Sequence, residues 1–329
     1  MEHSRDPRAE ALPLEPSPPL ERADGAAAAE RDEGAAHARR EPLREDRARV
    51  EALIELLDDE SPAVHATVRA SLESLGARVL PALRRAARGK QPRRRARARA
   101  LVATLERARI LRRLLGYALR PELELERGLY LMARLERPDF DCRPYRKALD
   151  AMGAEVRARV ARAPDGPSAP LALTQYLGNE LGFVGSEVEF NHPDNVYLHR
   201  ALEKKRGMPL TLVAIYLLVA RRAGLRAAPV ALPGRVLLRL YAGQRSLILD
   251  PFLGGRARTR ADCMRYLAQH GLVPRAEWFA DASDSALFQR HLLNLLGSHQ
   301  ARGLTRETRE LQAIVSAVNR ARAARRRKG

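Results

Sequence analysis

Cysteine, lysine and aromatic residues are scarce in this chain, and each scarcity removes a class of function. Of the 329 residues, two are cysteine, Cys142 and Cys263. They lie far apart and lack the paired spacing of zinc ligands, so neither a disulfide scaffold nor a structural metal is expected, and a reducing compartment fits. Aromatic residues make up 5% of the chain, which supplies few stacking platforms for single-stranded nucleic acid. The longest apolar run, Leu210 to Ala220, falls well short of the ~20 residues that span a bilayer. The start, Met1-Glu2-His3-Ser4-Arg5-Asp6, carries no apolar leader. A cytoplasmic protein without membrane contact is expected.

Arginine is what the chain has in excess. Lys and Arg together number 59 against 40 Asp and Glu, a formal charge of +19. The lysines are only Lys90, Lys147, Lys204, Lys205 and Lys328. Such an excess suggests an anionic partner, nucleic acid being the usual one. A GC-rich genome, which favours Arg and Ala codons, is the plain alternative. The densest stretch holds Arg84, Arg85, Arg88, Arg93, Arg94, Arg95, Arg97 and Arg99. It reads either as a phosphate-binding face or as a solvated helix face.

Length allows one to three domains. Residues 1–46 mix Pro13, Pro16, Pro18 and Pro19 with charges of both signs and few large apolar residues, a composition expected to be disordered. Residues 47–118 turn helical. Val50, Leu53, Ile54 and Leu57 recur at three- and four-residue steps, Asp58 to Pro62 forms a turn, and Val64, Val68, Leu72 and Leu75 continue the stripe up to Gly76. This resembles one HEAT-type repeat, a unit that normally needs neighbours to bury its faces. Residues 119–281 form the main domain. Residues 282–329 read as a helical pair, about 285–302 and 305–325, with a basic end from Arg320 to Lys328.

Within the main domain, Arg206-Gly207-Met208-Pro209 opens an almost unbroken apolar helix that stops at Gly224. Pro suits the first helical turn and Gly the position past the end. A helix apolar on nearly every side must be buried. Two β-type runs follow, Pro229 to Tyr241 and Ser246 to Phe252, joined by a turn at Ala242-Gly243-Gln244-Arg245. If Tyr241 pairs with Ser246, then Arg235 and Asp250 project from one face at diagonal positions, and an ion pair between them is expected.

The motifs Leu181-Gly182-Phe183-Val184-Gly185, Asn191-His192-Pro193-Asp194-Asn195, Arg206 to Leu212, Leu232-Pro233-Gly234-Arg235 and Asp250-Pro251-Phe252-Leu253-Gly254-Gly255 resemble the SirB family of bacterial transglutaminase-like proteins. The resemblance implies an α+β fold, a transglutaminase-like (papain-like) core with an N-terminal helical layer and a C-terminal helical pair. It also implies a triad of Cys, His and Asp. The nucleophile's position falls at Pro209, the general base's at Arg235, and only Asp250 remains. Arg does not act as a base at neutral pH, because it keeps its proton. The implied function is a non-catalytic binding or regulatory protein that reuses a degenerate cleft, with no cofactor and with another protein as partner through the cleft or the helical region. One rival is a cysteine-dependent transglutaminase or hydrolase with a relocated nucleophile, Cys142 or Cys263. The other is a basic, nucleic-acid-associated protein.

The histidines read plainly. His192 and His199 flank Asp194 and Asn195 but lack the i, i+4 spacing of helical zinc sites. Asp194 or Asn195 is expected to cap the helix holding Tyr197, Leu198 and Leu202. Tyr216 is expected in the core with its hydroxyl paired, and Trp278 packs rather than binds.

Overall fold

A computed structural model describes residues 46–162 and 168–327. Residues 1–45, most of the tail read as disordered, lie outside the described residues. The chain forms two compact units, one ending at Leu101 and one beginning at Val102.

In the first unit, helix α1 (46–55) ends in a 3-10 turn, Leu56–Asp58. Asp59 accepts a hydrogen bond from the Ser61 amide at 2.7 Å. Ser61 then caps α2 (Pro62–Leu75), accepting from the Val64 amide, with Pro62 at the first helical position. Gly76, at φ +65°, ends it. Helix α3 is Leu80–Ala86, and α4 (Pro92–Ala118) begins in this unit. Of the apolar stripe that the three- and four-residue steps mark out, Ile54, Leu57, Val68 and Leu72 are buried and Val50, Leu53, Val64 and Leu75 half-buried; Leu80 and Leu83 of α3 are buried as well.

The arginines of the dense basic stretch have a structural use. A helix leaves its last carbonyls without partners and concentrates negative partial charge there. Arg94 donates to the Glu55 carbonyl at 3.3 Å, Arg93 to Asp58 at 3.2 Å and Arg97 to Leu57 at 2.9 Å. All three carbonyls lie at the end of α1. Arg99 donates to Ala87 at 3.1 Å and Arg95 to Gly89 at 3.4 Å, past the end of α3. Arg85 pairs with Glu51 and Arg93 with Glu60.

The second unit is built around α9 (Pro209–Arg222), whose residues from Leu210 to Ala220 are all buried. Helix α5 (Leu125–Glu136), α6 (Arg143–Arg162), α7 (Ser168–Thr174), α8 (Leu198–Lys204), α11 (Asp284–Ala301) and one face of a sheet share its core. That sheet is antiparallel throughout, in the order β3 (Ala227–Leu232), β4 (Arg235–Ala242), β5 (Arg245–Asp250) and β6 (Arg256–Arg258). Two short parallel strands, β1 (Val184–Gly185) and β2 (Arg206–Gly207), lead into α9. Helix α10 (Arg260–Gln269) covers the sheet's other face, and α11 and α12 (Thr305–Arg326) form the C-terminal pair.

Three sequence expectations need correction. The apolar run from Pro229 to Tyr241 is two strands rather than one. Pro233 and Gly234 turn the chain between them, Gly234 at φ +71°. Neither Asp194 nor Asn195 caps α8, whose N-cap residue is Tyr197 without a side-chain bond. Asp194 instead pairs with Lys204, and the Asn195 amide donates to the carbonyls of Glu189 and Phe190. Tyr216 is buried as expected, but its hydroxyl finds no partner among the described residues.

The glycine-rich motifs are packing devices. A Cβ on Gly178 would sit 2.0 Å from the Gly254 carbonyl oxygen, and one on Gly185 would sit 2.3 Å from the Phe252 ring. The segment from Asp250 to Gly255 thus packs closely against the chain before α9.

Helices α5 and α8 are tied by charge. Glu136 ends α5. Its Oε2 lies 2.8 Å from Nε2 of the fully buried His199, and its Oε1 accepts from Arg200 Nε at 2.8 Å. Burial works against the carboxylate, but the His199 and Arg200 hydrogen bonds outweigh it and hold its pKa at about 2, below the ordinary 4.5. A carboxyl group depressed on folding stabilises the fold above its unfolded pKa and ceases to do so as pH falls through the folded one. Glu136→Gln should therefore destabilise the protein by roughly 1–3 kcal/mol near neutral pH. That deficit should shrink as pH drops from about 4.5 towards 2, read as urea midpoints of both proteins. A deficit constant across that window would show that the charge is not what ties the helices.

Candidate functional site

Alternation along the strands decides which side chains meet. Val236, Leu238, Leu240 and Leu249 point to the face packed on α9. Val230, Leu232 and Leu237 point to the opposite face, where Cys263 and Leu267 of α10 and Phe279 close a second apolar cluster. Arg235 is two residues from Leu237, and the pairing of Tyr241 with Ser246 puts Asp250 opposite Leu237. Both therefore lie on the α10 face.

They are bonded. Arg235 Nη2 donates to Asp250 Oδ2 at 2.6 Å, and Asp250 is fully buried. Arg258 on β6, diagonal to Asp250 through the pairing of Ile248 with Arg258, donates its Nε to the same oxygen at 3.2 Å. Asp250 is thus held from both neighbouring strands. Its Oδ1 is buried without a partner among the described residues.

A cavity of about 310 Å³ opens beside this cluster. Its wall includes Arg235, Arg258, Asp262, Cys263, Arg265 and Tyr266. Asp262 completes a capping box with Thr259 at the start of α10 and also pairs with Arg265. The Arg235 guanidinium lies 5.6 Å from the centre of the Tyr266 ring. Gly234 is required here: besides its positive φ, a Cβ would come within 2.7 Å of the Tyr266 hydroxyl. Burial first, and then the Asp262 carboxylate, push the Cys263 thiol above its ordinary pKa. A thiol so placed is a poor nucleophile, since the thiolate is the reactive form.

Of the three positions that the family resemblance groups together, the structure brings Arg235 and Asp250 into contact. Pro209 opens α9 and does not line the cavity. Cys142 is half-buried at the start of α6 and borders a different groove. His199 is engaged with Glu136, and His192 Nδ1 accepts from the Asp194 amide at 3.2 Å. Among the described residues no group of three His, Cys, Asp or Glu side chains is placed to hold a metal ion. No helix among them is long and apolar enough to cross a membrane. Arg258 and Tyr266 were not apparent as site residues in the sequence. Strand β6, Arg256-Ala257-Arg258, has neither β-branched nor aromatic residues.

Residues 143–293 match the transglutaminase-like superfamily. That segment is a transglutaminase-like domain, and SirB and UPF0162 proteins are among its homologues. It is 32% identical to a UPF0162 protein of Xylella fastidiosa over 50% of this chain and 60% of that protein. It is 25% identical to the protein SirB1 of Salmonella typhimurium over 52% of this chain and 64% of that one. It is 27% identical to the F-box only protein 21 of Mus musculus over 40% of this chain and 22% of that protein. The alignments thus span less than two thirds of each of these relatives. No solved structure matches the chain significantly.

Two guanidiniums on one buried carboxylate give redundancy that stability measurements can expose. Arg235→Leu should cost less than the ~3–5 kcal/mol of orphaning a buried charge, because Arg258 remains. Removing Arg235 and Arg258 together should cost more than the two single losses summed, by about 0.5–3 kcal/mol. Adding Asp250→Leu to that double variant should restore part of the loss. Strictly additive losses in denaturant unfolding would mean that the arginines do not share Asp250.

Proposed function

We propose that this is a non-catalytic transglutaminase-like protein, a binding or regulatory module that keeps the fold of the superfamily without its chemistry. The observation that carries the reading is the bonding of Arg235 to Asp250. A guanidinium occupies the position where the family resemblance puts a general base, and it satisfies the carboxylate that would have oriented that base. Proton transfer from a nucleophile needs a group that accepts a proton near neutral pH, and Arg does not. Pro209 supplies no thiol at the helix start, where a helix N-terminus would have favoured a thiolate. This reading makes a protein partner the occupant of the cavity, whose wall arginines Arg235, Arg258 and Arg265 are themselves held in place by Asp250 and Asp262.

The same reading gives the rest of the chain a supporting part. The helices before residue 119 are taken as a HEAT-like hairpin, residues 119–281 as the SirB-type domain, and residues 282–329 as a C-terminal pair. Two unpaired cysteines favour the cytoplasm. A nucleic-acid role for the arginines between 84 and 99 is weakened by their bonding, since several of them donate to carbonyls of the chain itself.

Purified protein incubated with a glutamine peptide and a fluorescent amine, and separately with peptide and amide substrates, should show no turnover above buffer. Turnover that disappears in Cys142→Ala or Cys263→Ala would overturn the reading. An aromatic disulfide reagent should label Cys142 quickly in the native protein and leave Cys263 until unfolding. Rapid labelling of Cys263 would show the cavity thiol to be open and reactive after all.

A further inference from the structure

A cavity larger than the one beside Asp250 lies elsewhere in the second unit. It is a groove of about 690 Å³ between the end of α4, the start and middle of α5, and the start of α6. Five arginines line it: Arg113, Arg120, Arg127, Arg134 and Arg146. Glu124 is the only carboxylate residue among its lining. Arg146 is partly neutralised by Glu126 at 3.5 Å. No ion pair joins Arg113, Arg120, Arg127 or Arg134 to a carboxylate among the described residues, unlike the arginines that cap α1 or hold Asp250.

Three of the four are also positioned. Arg127 and Arg134 stand two turns apart on one face of α5, ~10 Å along its axis. Arg120 and Arg127 both lie against the Tyr117 ring, 5.2 Å and 5.6 Å from its centre. That ring is itself fixed. The Tyr117 hydroxyl donates to the Glu124 carbonyl at 2.7 Å and accepts from the Glu124 amide at 3.0 Å, while Phe288 packs edge-on at 6.1 Å. Stacking on a locked ring holds two like charges together without a counter-charge, and it lowers the ordering cost of any anion that bridges them.

We propose that this groove is a binding site for an extended polyphosphate, an anion carrying several phosphoryl groups in a chain. Guanidiniums match phosphoryl oxygens in bidentate geometry. A single phosphate reaches only one end of the array, so occupying Arg120 and Arg127 together with Arg134 requires several anionic groups in series. The volume falls in the range of small-ligand pockets, roughly 300–1,000 Å³. A nucleic-acid strand is disfavoured because the nearby rings are covered. Tyr117, Tyr130 and Phe140 are 5%, 7% and 6% exposed, which leaves no face for a base to stack on.

Titration calorimetry on the full chain with inorganic tripolyphosphate tests this. Saturable binding with one site per chain is expected, and inorganic phosphate should bind at least tenfold more weakly. ATP forms the second arm. Tighter binding than tripolyphosphate assigns the chain of phosphates to a nucleotide, and equal or weaker binding assigns it to the free anion; either supports the site. Arg120→Gln with Arg127→Gln should weaken tripolyphosphate at least tenfold, and Arg134→Gln alone severalfold. The charge-matched control, Arg245→Gln with Arg256→Gln, should change affinity by less than twofold. Unfolding midpoints of all variants establish that they remain folded, and Arg134→Gln carries the test if the double variant does not. The proposal fails if no saturable binding occurs. It also fails if the control weakens binding as much as the groove variant, since the net charge of +19 would then be acting as a diffuse field. An oligonucleotide that binds more tightly than tripolyphosphate and loses affinity with the groove variant would overturn it in favour of a nucleic-acid site.

Discussion

The burial of α9 on every side is the constraint from which the second unit follows. A helix with no polar face has to be wrapped, and two kinds of cover are used: helices α5, α6, α8 and α11 on some sides and the inner face of the sheet on another. Covering the sheet's inner face with α9 leaves its outer face free to carry polar residues at alternate positions. Arg235 and Asp250 occupy such positions, and α10 then encloses them. Close packing around α9 also explains the glycines. Gly153 approaches Arg222 so closely that a Cβ would lie 2.3 Å from the Arg222 Cβ, and Gly178 does the same with the Gly254 carbonyl. Side chains at these points would push the cover away from the helix.

Electrostatic satisfaction is uneven across the molecule. At α1, carbonyls at a helix end recruit guanidiniums. At Glu136, a carboxylate recruits His199 and Arg200 and is held ionised to low pH. At Asp250, two arginines share one oxygen while the other oxygen is left bare. In the groove beside Tyr117, four of the five arginines have no carboxylate partner among the described residues. The first two situations pair opposite charges or dipoles within the fold. Of the last two, the Asp250 oxygen is sealed inside the fold, and the groove alone leaves charge that the fold does not use.

Much of the fold was legible in the sequence because its strongest signals are periodic or exclusive. The apolar run from Leu210 to Ala220 allows only a buried helix. The turn at Gly243 and Gln244 fixes a register from which the contact between Arg235 and Asp250 follows by parity. What was not legible depends on chain segments meeting in space. Strand β6 is three residues without strand propensity, so Arg258 gave no sign of joining Asp250. The split of the Pro229 to Tyr241 run rests on Pro233 and Gly234, a turn signal present in the sequence but outweighed by the apolar residues around it. Asp194 and Asn195 are both cap residues by type and place, yet Lys204 takes the first and a nearby loop offers the amide of the second two carbonyls. The seven-residue spacing of Arg113, Arg120, Arg127 and Arg134 is visible in the sequence. Its meaning appears only when the chain folds back between Ala118 and Leu125 and brings both pairs to one groove.

The use of arginine at the end of α1 separates two properties that composition merges. A guanidinium has several N–H donors spread over a plane, and it can bridge two carbonyls while keeping its charge; an ammonium concentrates the same charge at a point. Arg97 reaches the carbonyls of both Leu57 and Asp59, which makes it a joint as much as a charge. A codon bias towards arginine would therefore do more than raise the isoelectric point. It gives a helical unit a supply of long, forked donors with which to close helix ends that in other proteins are closed by glycine turns or water. The cationic surface is then partly a by-product of how the backbone is terminated.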